Sequence, residues 1–362
     1  MNNPLQVANH SAIRYSAIGV MSGTSLDGLD LSFARFSHSN GKWEQQIIKA
    51  KTIPYNTDLK RKLGNAMSLN GQELALLNSA FGDWIAQRIN EFKIGIEEPI
   101  DIIGSHGHTV FHCPSLGYTT QIGSGAHIAA LTGLPCVCDF RMGDLARGGQ
   151  GAPLVPIGDE LLFGDYDLCL NIGGIVNISL RDNNERIAYD ICPANMALNH
   201  FSQFFGLEYD IDGKVGKSGN INELLLKTLN QLDYYDLKGP KSLGREWFES
   251  DFLPIIIAFN IPTNDILRTL YEHISKKICE AMAFIPKGKV LITGGGAKNS
   301  FLVELIKSMS KNSIVIPEPE LIDYKEALIF GFLAVLYKLQ IPSSLASVTG
   351  AKSNSIGGCL YY

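Results

Sequence analysis

A stretch near the start of the chain, residues 18–33, combines glycines, hydroxyls and carboxylates between two apolar runs. Gly23 and Gly28 let a ligand approach the backbone closely, because they carry no side chain. Free N–H groups in such a turn suit phosphate oxygens, and a neighbouring carboxylate suits a phosphate-bound Mg²⁺. An ordinary hairpin turn is the alternative, since Asp-Gly is a strong hairpin signal. The hydroxyls belong to Ser22, Thr24 and Ser25, and the carboxylates to Asp27 and Asp30.

A second polar stretch holds three histidines and a cysteine within eight residues: His106, His108, His112 and Cys113. Alternating histidines on a strand are an arrangement that zinc accepts. The alternative is a polar loop after a strand at residues 100–104, where small-molecule sites lie in open α/β sheets. No Cys-x-x-Cys or His-Glu-x-x-His motif accompanies the histidines, so we favour the loop and expect no zinc.

A third stretch, residues 139–156, has three glycines within residues 148–151 and, before them, two arginines and two aspartates. The arginine side chains, Arg141 and Arg147, suit anionic or hydroxylated ligands. A solvated linker would also be polar, but a long glycine-rich loop between strands is more often functional. We therefore expect a ligand-binding loop here.

Near residue 167 the pattern of strand, glycine turn and strand restarts, and this weak repeat suggests two related domains. A strand at residues 187–189 then leads to Asp190 at the start of a loop. A carboxylate at the carboxyl end of a strand is well placed to act as a general base. Capping of the helix that begins near Asn195, or Mg²⁺ binding, are the alternatives.

A third glycine turn, residues 294–296, follows a predicted strand and precedes a predicted helix. Such a turn suits a flat ring or a phosphate, and the helix N-terminus adds a favourable dipole. Alone this signal is weak, because glycine turns also close plain βα units. Further along, Glu326 stands near the start of a helix predicted at residues 324–339.

Composition limits the classes of function. A chain of 362 residues suggests about two domains, and a net charge of -5 without a long basic run argues against a nucleic-acid binder. No apolar run approaches the roughly 20 residues of a membrane-spanning helix, and no secretory signal is visible. Seven scattered cysteines indicate reduced thiols in a cytoplasm.

Taken in order, these motifs resemble the anhydro-N-acetylmuramic acid kinase family of the sugar kinase/Hsp70/actin superfamily. Three departures stand out: His108 where the family usually has Gln, residues 191–194 in the middle of the usual Asp-Thr-Gly-Pro-Gly-Asn loop, and Asn199 where an acidic residue is expected. The matching segments are residues 21–30, 104–106 with Thr109, 121–123, 139–141, 148–156, 170–174, Asp190 with Asn195, 239–246, 294–299, Glu326 and 348–351.

The resemblance implies an α/β fold with two RNase H-like (actin-like ATPase) domains that flank a deep cleft. We expect an N-terminal domain at residues 1–160, completed by the C-terminal segment, and a C-terminal domain at residues 161–362. The resemblance also implies a cytoplasmic homodimer that acts on a small amino sugar and binds neither nucleic acid nor membrane. The implied reaction consumes ATP, 1,6-anhydro-N-acetylmuramic acid and water, and gives ADP and N-acetylmuramic acid 6-phosphate.

The resemblance assigns roles to particular residues. Asp190 is the implied base for the attacking water, Glu326 helps to hold that water, and Asp27 binds Mg²⁺ through the ATP phosphates. The implied ATP-binding residues are Gly23, Thr24, Ser25, Leu26, Asp27, Gly28, Leu29, Asp30, Asn171, Gly173, Gly174, Gly294, Gly295, Gly296 and Asn299. The implied sugar-binding residues are His106, Thr109, Gln121, Arg141, Asp144, Gly148, Gln150 and Asn195.

Two other functions fit parts of the pattern. A kinase of another small sugar or hydroxy-acid would share the ATP-binding hairpins and differ in the loop at residues 141–150. A non-catalytic nucleotide switch, like an actin relative, would need no sugar-binding loop.

Overall fold

The computed structural model describes residues 13–23, 26–237, 239 and 241–362 of the chain. The chain divides into two compact units, one of residues 1–162 and 324–362 and the other of residues 163–323. We expected a boundary after residue 160, and the first division comes after Leu162. We placed residues 324–362 in the range of the second domain and also expected the C-terminal segment to complete the first. In the structure these residues cluster with the first unit.

The first unit is built on a sheet of seven strands in the order β12-β6-β4-β1-β2-β3, with β5 paired to β4. β1 pairs antiparallel with β2 and parallel with β4. The two apolar runs around the first glycine turn are thus the paired strands β1 and β2. The strands are β1 (Ile13–Ser22), β2 (Leu29–Ser39), β3 (Lys42–Ile53), β4 (Ile102–Cys113), β5 (Tyr118–Ile122), β6 (Cys136–Cys138) and β12 (Cys359–Tyr361).

The second unit repeats this plan with five strands in the order β11-β10-β7-β8-β9. In both units the first strand lies between the second and the fourth, and the second strand runs antiparallel to its neighbours. This is the RNase H-like strand order, so the predicted fold class is confirmed. The strands are β7 (Leu168–Ile172), β8 (Ile175–Asp182), β9 (Glu185–Pro193), β10 (Lys289–Thr293) and β11 (Ser313–Val315).

The long helix α2 follows directly from its sequence. Asn70 and Glu73 form a capping box, in which each side chain accepts the other residue's backbone N–H. Leu77, Phe81 and Ile85 recur every four residues and are buried. The helices are α1 (Thr57–Gly64), α2 (Gly71–Phe92), α3 (Gly125–Thr132), α4 (Met142–Leu145), α5 (Pro156–Leu161), α6 (Asn195–Ser202), α7 (Lys214–Lys217), α8 (Glu223–Asn230), α9 (Arg245–Trp247), α10 (Leu253–Ile257), α11 (Thr263–Met282), α12 (Ser300–Met309), α13 (Pro319–Lys338) and α14 (Ala346–Thr349).

Two strand boundaries differ from the sequence prediction. The polar loop expected after residue 104 is wrong, because β4 continues to Cys113 by pairing with β5. The expected loop start at Asp190 is also wrong, because β9 continues to Pro193 with a bulge at Ile191. In both cases pairing to a neighbouring strand satisfies the backbone of a segment that reads as a polar turn.

Helix α13 packs directly on the backbone of β1 and β4. Gly19 and Gly104 are register partners in these strands. A β-carbon on Gly19 would collide with the Ala327 carbonyl oxygen, and one on Gly104 with the Phe330 carbonyl oxygen. The two glycines therefore allow an approach of helix to sheet that any side chain would prevent.

Among the described residues, no helix combines the length and apolar composition that a bilayer crossing requires.

The glycine contact yields a stability prediction. Gly104→Ala should lower the free energy of unfolding by at least about 1–3 kcal/mol, because the helix must move away from the sheet. The matched control is Gly71→Ala at the start of α2, where a β-carbon meets nothing within 4 Å. Urea unfolding of both variants provides the measurement. Equal stabilities of the two variants would contradict the close-contact interpretation.

Candidate functional site

A bulge separates the histidines of β4. Val20 pairs with Ser105 and Ser22 pairs with His108, so β4 has one more residue than β1 over this interval. Gly107 takes a φ of +72° there. His106 and His108 consequently have different partners, since the Nδ1 atom of His108 lies 3.2 Å from Ser22 Oγ. Within the described part of the chain, no group of three or more His, Cys, Asp or Glu is arranged to hold a metal ion.

His106 holds the guanidinium of Arg141. Its Nε2 atom accepts from Arg141 Nε at 3.1 Å and from a terminal guanidinium nitrogen at 2.8 Å. Because arginine only donates, Nε2 must be unprotonated, and Nδ1 donates to the Gly107 carbonyl at 2.9 Å. Burial, followed by the Arg141 charge, lowers the pKa of His106 well below its usual value. The imidazole is therefore neutral and in one tautomer.

Arg141 and Glu326 lie near enough for the charge of each to affect the pKa of the other. Burial lowers the pKa of Arg141 to about 10, while the Glu326 charge opposes that shift. Glu326 keeps an exposed part of its surface, but desolvation of its carboxyl raises its pKa. The nearby Asp30 charge raises that pKa further. Arg141 acts in the opposite direction. Arg141 also donates to the Gly151 carbonyl at 2.7 Å, so the glycine loop fixes the guanidinium.

A cavity of about 310 Å³ opens beside His106 in the first unit. This volume is within the range of small-molecule sites. Gln121 lines it, and its Nε2 donates to Thr119 Oγ1 at 2.7 Å and to Thr109 Oγ1 at 3.3 Å. Its buried Oε1 has no hydrogen-bond partner among the described residues. Beside the cavity the Gln121 amide therefore keeps one buried acceptor that its described neighbours do not satisfy.

Asn78 and Asp139 also line this cavity and were not among the predicted site residues. Asp139 directly follows β6 and has a φ of +57°, which is uncommon outside glycine. Its place after a strand is a signal that could have identified it. Asn78 lies within α2 and accepts the Gly123 N–H at 2.8 Å, a long-range contact that no local pattern indicates.

Asp144, a predicted sugar contact, lies in the interior instead. It is 0% exposed. Its carboxylate accepts the Gly151 N–H and the hydroxyls of Ser344 and Thr349, each at 2.8 Å. It therefore fastens the glycine loop to the C-terminal segment. Gly148 and Gln150, predicted with it, are exposed on that loop.

The predicted phosphate turn joins β1 to β2. Asp27 is exposed, and Leu26 takes a φ of +58°. A β-carbon on Gly28 would lie 2.7 Å from the Ile53 carbonyl oxygen, so only glycine fits that position. Asp30 Oδ1 accepts the Thr52 hydroxyl at 2.6 Å, while Leu29 is fully buried. Thr24 and Ser25 lie outside the described residues.

In the second unit the two predicted glycine turns lie side by side. Asn171, at the end of β7, pairs with Thr293 of β10. A β-carbon on Gly294 would lie 2.6 Å from Asn171 Oδ1. Asn195 Nδ2 donates to the Ile172 carbonyl at 3.2 Å, and its N–H donates to Gly173. A β-carbon on Gly295 would make only an ordinary contact, at 3.6 Å, with Asn195 Nδ2, so this glycine turn leaves room for a ligand to approach the backbone.

Asn299 has a different environment. Its Oδ1 accepts the Leu302 N–H at 3.1 Å and so caps α12. Its Nδ2 donates to the Tyr271 hydroxyl at 2.8 Å. Both ends of the side chain are thus engaged inside the unit, and the structure does not place it as a nucleotide contact.

Asp190 lies at the bulge of β9, half-buried. Burial raises the pKa of its carboxyl, and the hydrogen bond from the Leu243 N–H to Oδ2, at 2.8 Å, partly offsets that rise. The helix-cap alternative is not supported, since the Asp190 carboxylate bonds to Leu243 rather than to the first turn of α6.

Comparisons with known proteins extend over the whole chain. A family model described as "Anhydro-N-acetylmuramic acid kinase" matches residues 15–362. Proteins of that name from Vibrio cholerae and Hydrogenovibrio crunogenus are 37% and 34% identical, covering 95% of this chain and 98% and 97% of theirs. Among solved structures, (R)-2-hydroxyglutaryl-CoA dehydratase component A of Acidaminococcus fermentans is 12% identical with a TM-score of 0.45, covering 90% of this chain and 99% of that one. A likeness that distant carries no conclusion.

The neutral His106 yields a pH prediction. Below about pH 6.5 the unfolded chain gains a proton at this histidine that the folded protein refuses, so folding stability falls as the pH drops. His106→Gln keeps an acceptor for Arg141 and removes that titration. We expect the slope of unfolding free energy between pH 6.5 and 5 to become shallower by up to about 1.4 kcal/mol per pH unit. Denaturant unfolding across this range measures it, and an unchanged slope would show that folded His106 binds the proton.

Proposed function

The chain belongs to the anhydro-N-acetylmuramic acid kinase family, an ATP-dependent group of phosphotransferases, and from this premise we propose how its residues divide the chemistry. The reaction is hydrolytic opening of the 1,6-anhydro ring with phosphorylation of O6. The observation that carries the proposal is Asp190, a half-buried carboxylate with a raised pKa whose second oxygen is bound by one backbone N–H. Family membership does not favour the alternatives of another sugar kinase or a nucleotide switch.

Asp190 is the proposed general base. Water attacks the anomeric carbon, a water proton passes to the Asp190 carboxylate, and the bond between that carbon and O6 breaks. O6 takes the γ-phosphoryl group of ATP, and ADP leaves. A base is most effective when its pKa lies near the working pH, and burial moves the pKa of Asp190 in that direction.

The proposed sugar-binding group lies around the 310 Å³ cavity of the first unit. Gln121 Oε1 accepts from a sugar hydroxyl or from the N-acetyl N–H. Arg141, held by neutral His106, is proposed to bind the acidic part of the substrate, and Glu326 is proposed to help hold the attacking water. We retain Thr109 as a support for the Gln121 amide rather than as a contact, because that is the bond the structure shows.

The proposed nucleotide-binding groups are the turn that carries Asp27 and Gly28 in the first unit and the cradle of Asn171, Gly294 and Gly295 in the second. Both are glycine turns, and the backbone N–H groups of such turns fit phosphate oxygens. The exposed Asp27 fits a hard cation that prefers oxygen ligands. Bound Mg²⁺ would neutralise phosphate charge during transfer.

We also propose a cytoplasmic homodimer. The resemblance supports the dimer, and the seven cysteines, all free thiols, fit a reducing compartment.

Asp190→Asn should lower kcat by about 10²–10⁴-fold and change the affinities for ATP and sugar much less, because the amide keeps the shape and loses the basic site. ADP release with 1,6-anhydro-N-acetylmuramic acid measures kcat, and calorimetry measures binding. Retention of a tenth or more of wild-type kcat would exclude Asp190 as the base. A parallel loss of ATP binding would favour the metal-ligand alternative.

Asp27→Ala should abolish turnover and remove the Mg²⁺ dependence of ATP binding while leaving the fold intact, since an exposed turn carboxylate adds little stability. Asp58→Ala is the matched control, because Asp58 is an exposed carboxylate paired on the surface with Arg61 and Lys62. Calorimetric ATP titrations with and without Mg²⁺ test this independently of activity. Near-wild-type turnover of Asp27→Ala would overturn the assignment.

A further inference from the structure

Three hydrogen bonds hold Asp190, and all come from one region of the second unit. Its N–H donates to the Lys241 carbonyl at 2.9 Å. Its carbonyl accepts the Tyr234 hydroxyl at 2.6 Å. Its carboxylate Oδ2 accepts the Leu243 N–H at 2.8 Å. Backbone and side chain of one residue are thus bound to the same neighbouring region.

These bonds replace a missing strand. Among the described strands, β9 is the edge of its sheet and pairs only with β8. In an antiparallel pair, the N–H and carbonyl of one residue point to the same side. Both of these groups of Asp190 bond away from β8, where an edge strand would otherwise present them to water.

Tyr234 is itself held in place. It is 7% exposed, and its ring centroid lies 5.4 Å from that of Trp247. Lys241 Nζ donates to the Tyr234 carbonyl at 2.9 Å and lies 4.5 Å from the centre of its ring. The two partners of the Asp190 backbone are therefore bonded to each other as well as to β9.

We propose that Tyr234, Lys241 and Leu243 form a clasp that positions the Asp190 carboxylate, with Tyr234 as its positioning residue. This inference rests on the proposed role of Asp190 as the base. Leu243 occupies Oδ2, and among the described residues Oδ1 has no hydrogen-bond partner, so Oδ1 is the oxygen that accepts the proton. Leu243 binds the side chain of Asp190 and Tyr234 binds its backbone. The clasp therefore fixes both the main chain and the carboxylate of this residue.

The clasp also sets the charge of Asp190. The Leu243 N–H stabilises the ionised carboxylate against the burial that disfavours it. When the clasp loosens, burial remains and that hydrogen bond weakens, so the pKa of Asp190 rises. The acid limb of the kcat profile must then move to higher pH, since the base is ionised over a narrower range.

Tyr234→Phe removes only the hydroxyl that holds the Asp190 carbonyl. We expect kcat to fall about ten- to a hundredfold, because small misplacements of a reacting group cost rates of this order. KM should change less than threefold, and the acid limb should shift upward. Tyr235→Phe is the matched control: its hydroxyl bonds to His273 Nε2 at 2.8 Å and has no bond to Asp190. The control should keep wild-type kcat and pH profile.

Amide hydrogen exchange separates this inference from the role of the base. In Tyr234→Phe, amides of residues 187–193 and 241–246 should exchange faster than in Tyr235→Phe, whether or not Asp190 is catalytic. Lys241→Met, which removes the bond to the Tyr234 carbonyl, should show a smaller change of the same kind. Equal exchange and equal kcat in the two tyrosine variants would overturn the clasp even if Asp190→Asn is inactive. Faster exchange with unchanged kcat would confine Tyr234 to a structural role and so also overturn it.

Discussion

The contact of α13 with the glycines of β1 and β4 is the constraint on which the first unit depends. Gly19 and Gly104 face each other in neighbouring strands, and helix carbonyls occupy the space where side chains would stand. Glu326 directly precedes Ala327, whose carbonyl makes one of these contacts. The distance at which α13 packs on the sheet therefore fixes where the Glu326 carboxylate lies relative to β1 and β4.

The charges around Glu326 follow from that placement. Burial disfavours a positive charge on Arg141, and Glu326 favours it, so the two ions stabilise each other. His106 adds no third charge, because its unprotonated Nε2 is committed to the guanidinium. Its ring also lies 4.6 Å from that of Phe330, on the same helix as Glu326. His106, on β4, thus contacts both Arg141 and Phe330 of α13. Because its imidazole is neutral, it does not repel the guanidinium.

The second unit also holds a carboxylate in a fixed position, but it does so through an edge strand. Its strand order matches that of the first unit, but the carboxylate proposed to act, Asp190, lies on an edge strand rather than on a helix. An edge strand has backbone groups without strand partners, and the Tyr234 hydroxyl and the Lys241 carbonyl bind those of Asp190. The two units therefore share a strand order but not a polar site. The groups that bind Asp190 come from the connection after β9, which is not part of the shared sheet.

The sequence alone indicated the glycine turns, because apolar runs and turn residues act over a few neighbouring positions. Its ordered motifs also carried the resemblance to a known family, and that resemblance implied the fold class. The sequence also singled out Arg141, Asp190 and Glu326 as residues that could take part in binding or catalysis. Asp144 and Asn299 stay predicted ligand contacts, and the structure adds that their side chains are engaged by partners more than 25 positions away. The sequence prediction ended β4 and β9 too early, because pairing with a neighbouring strand extends each of them. Only the tertiary structure decided the tautomer of His106, the cavity beside Gln121 and the clasp on Asp190, since each depends on burial and on bonds between segments distant in the chain.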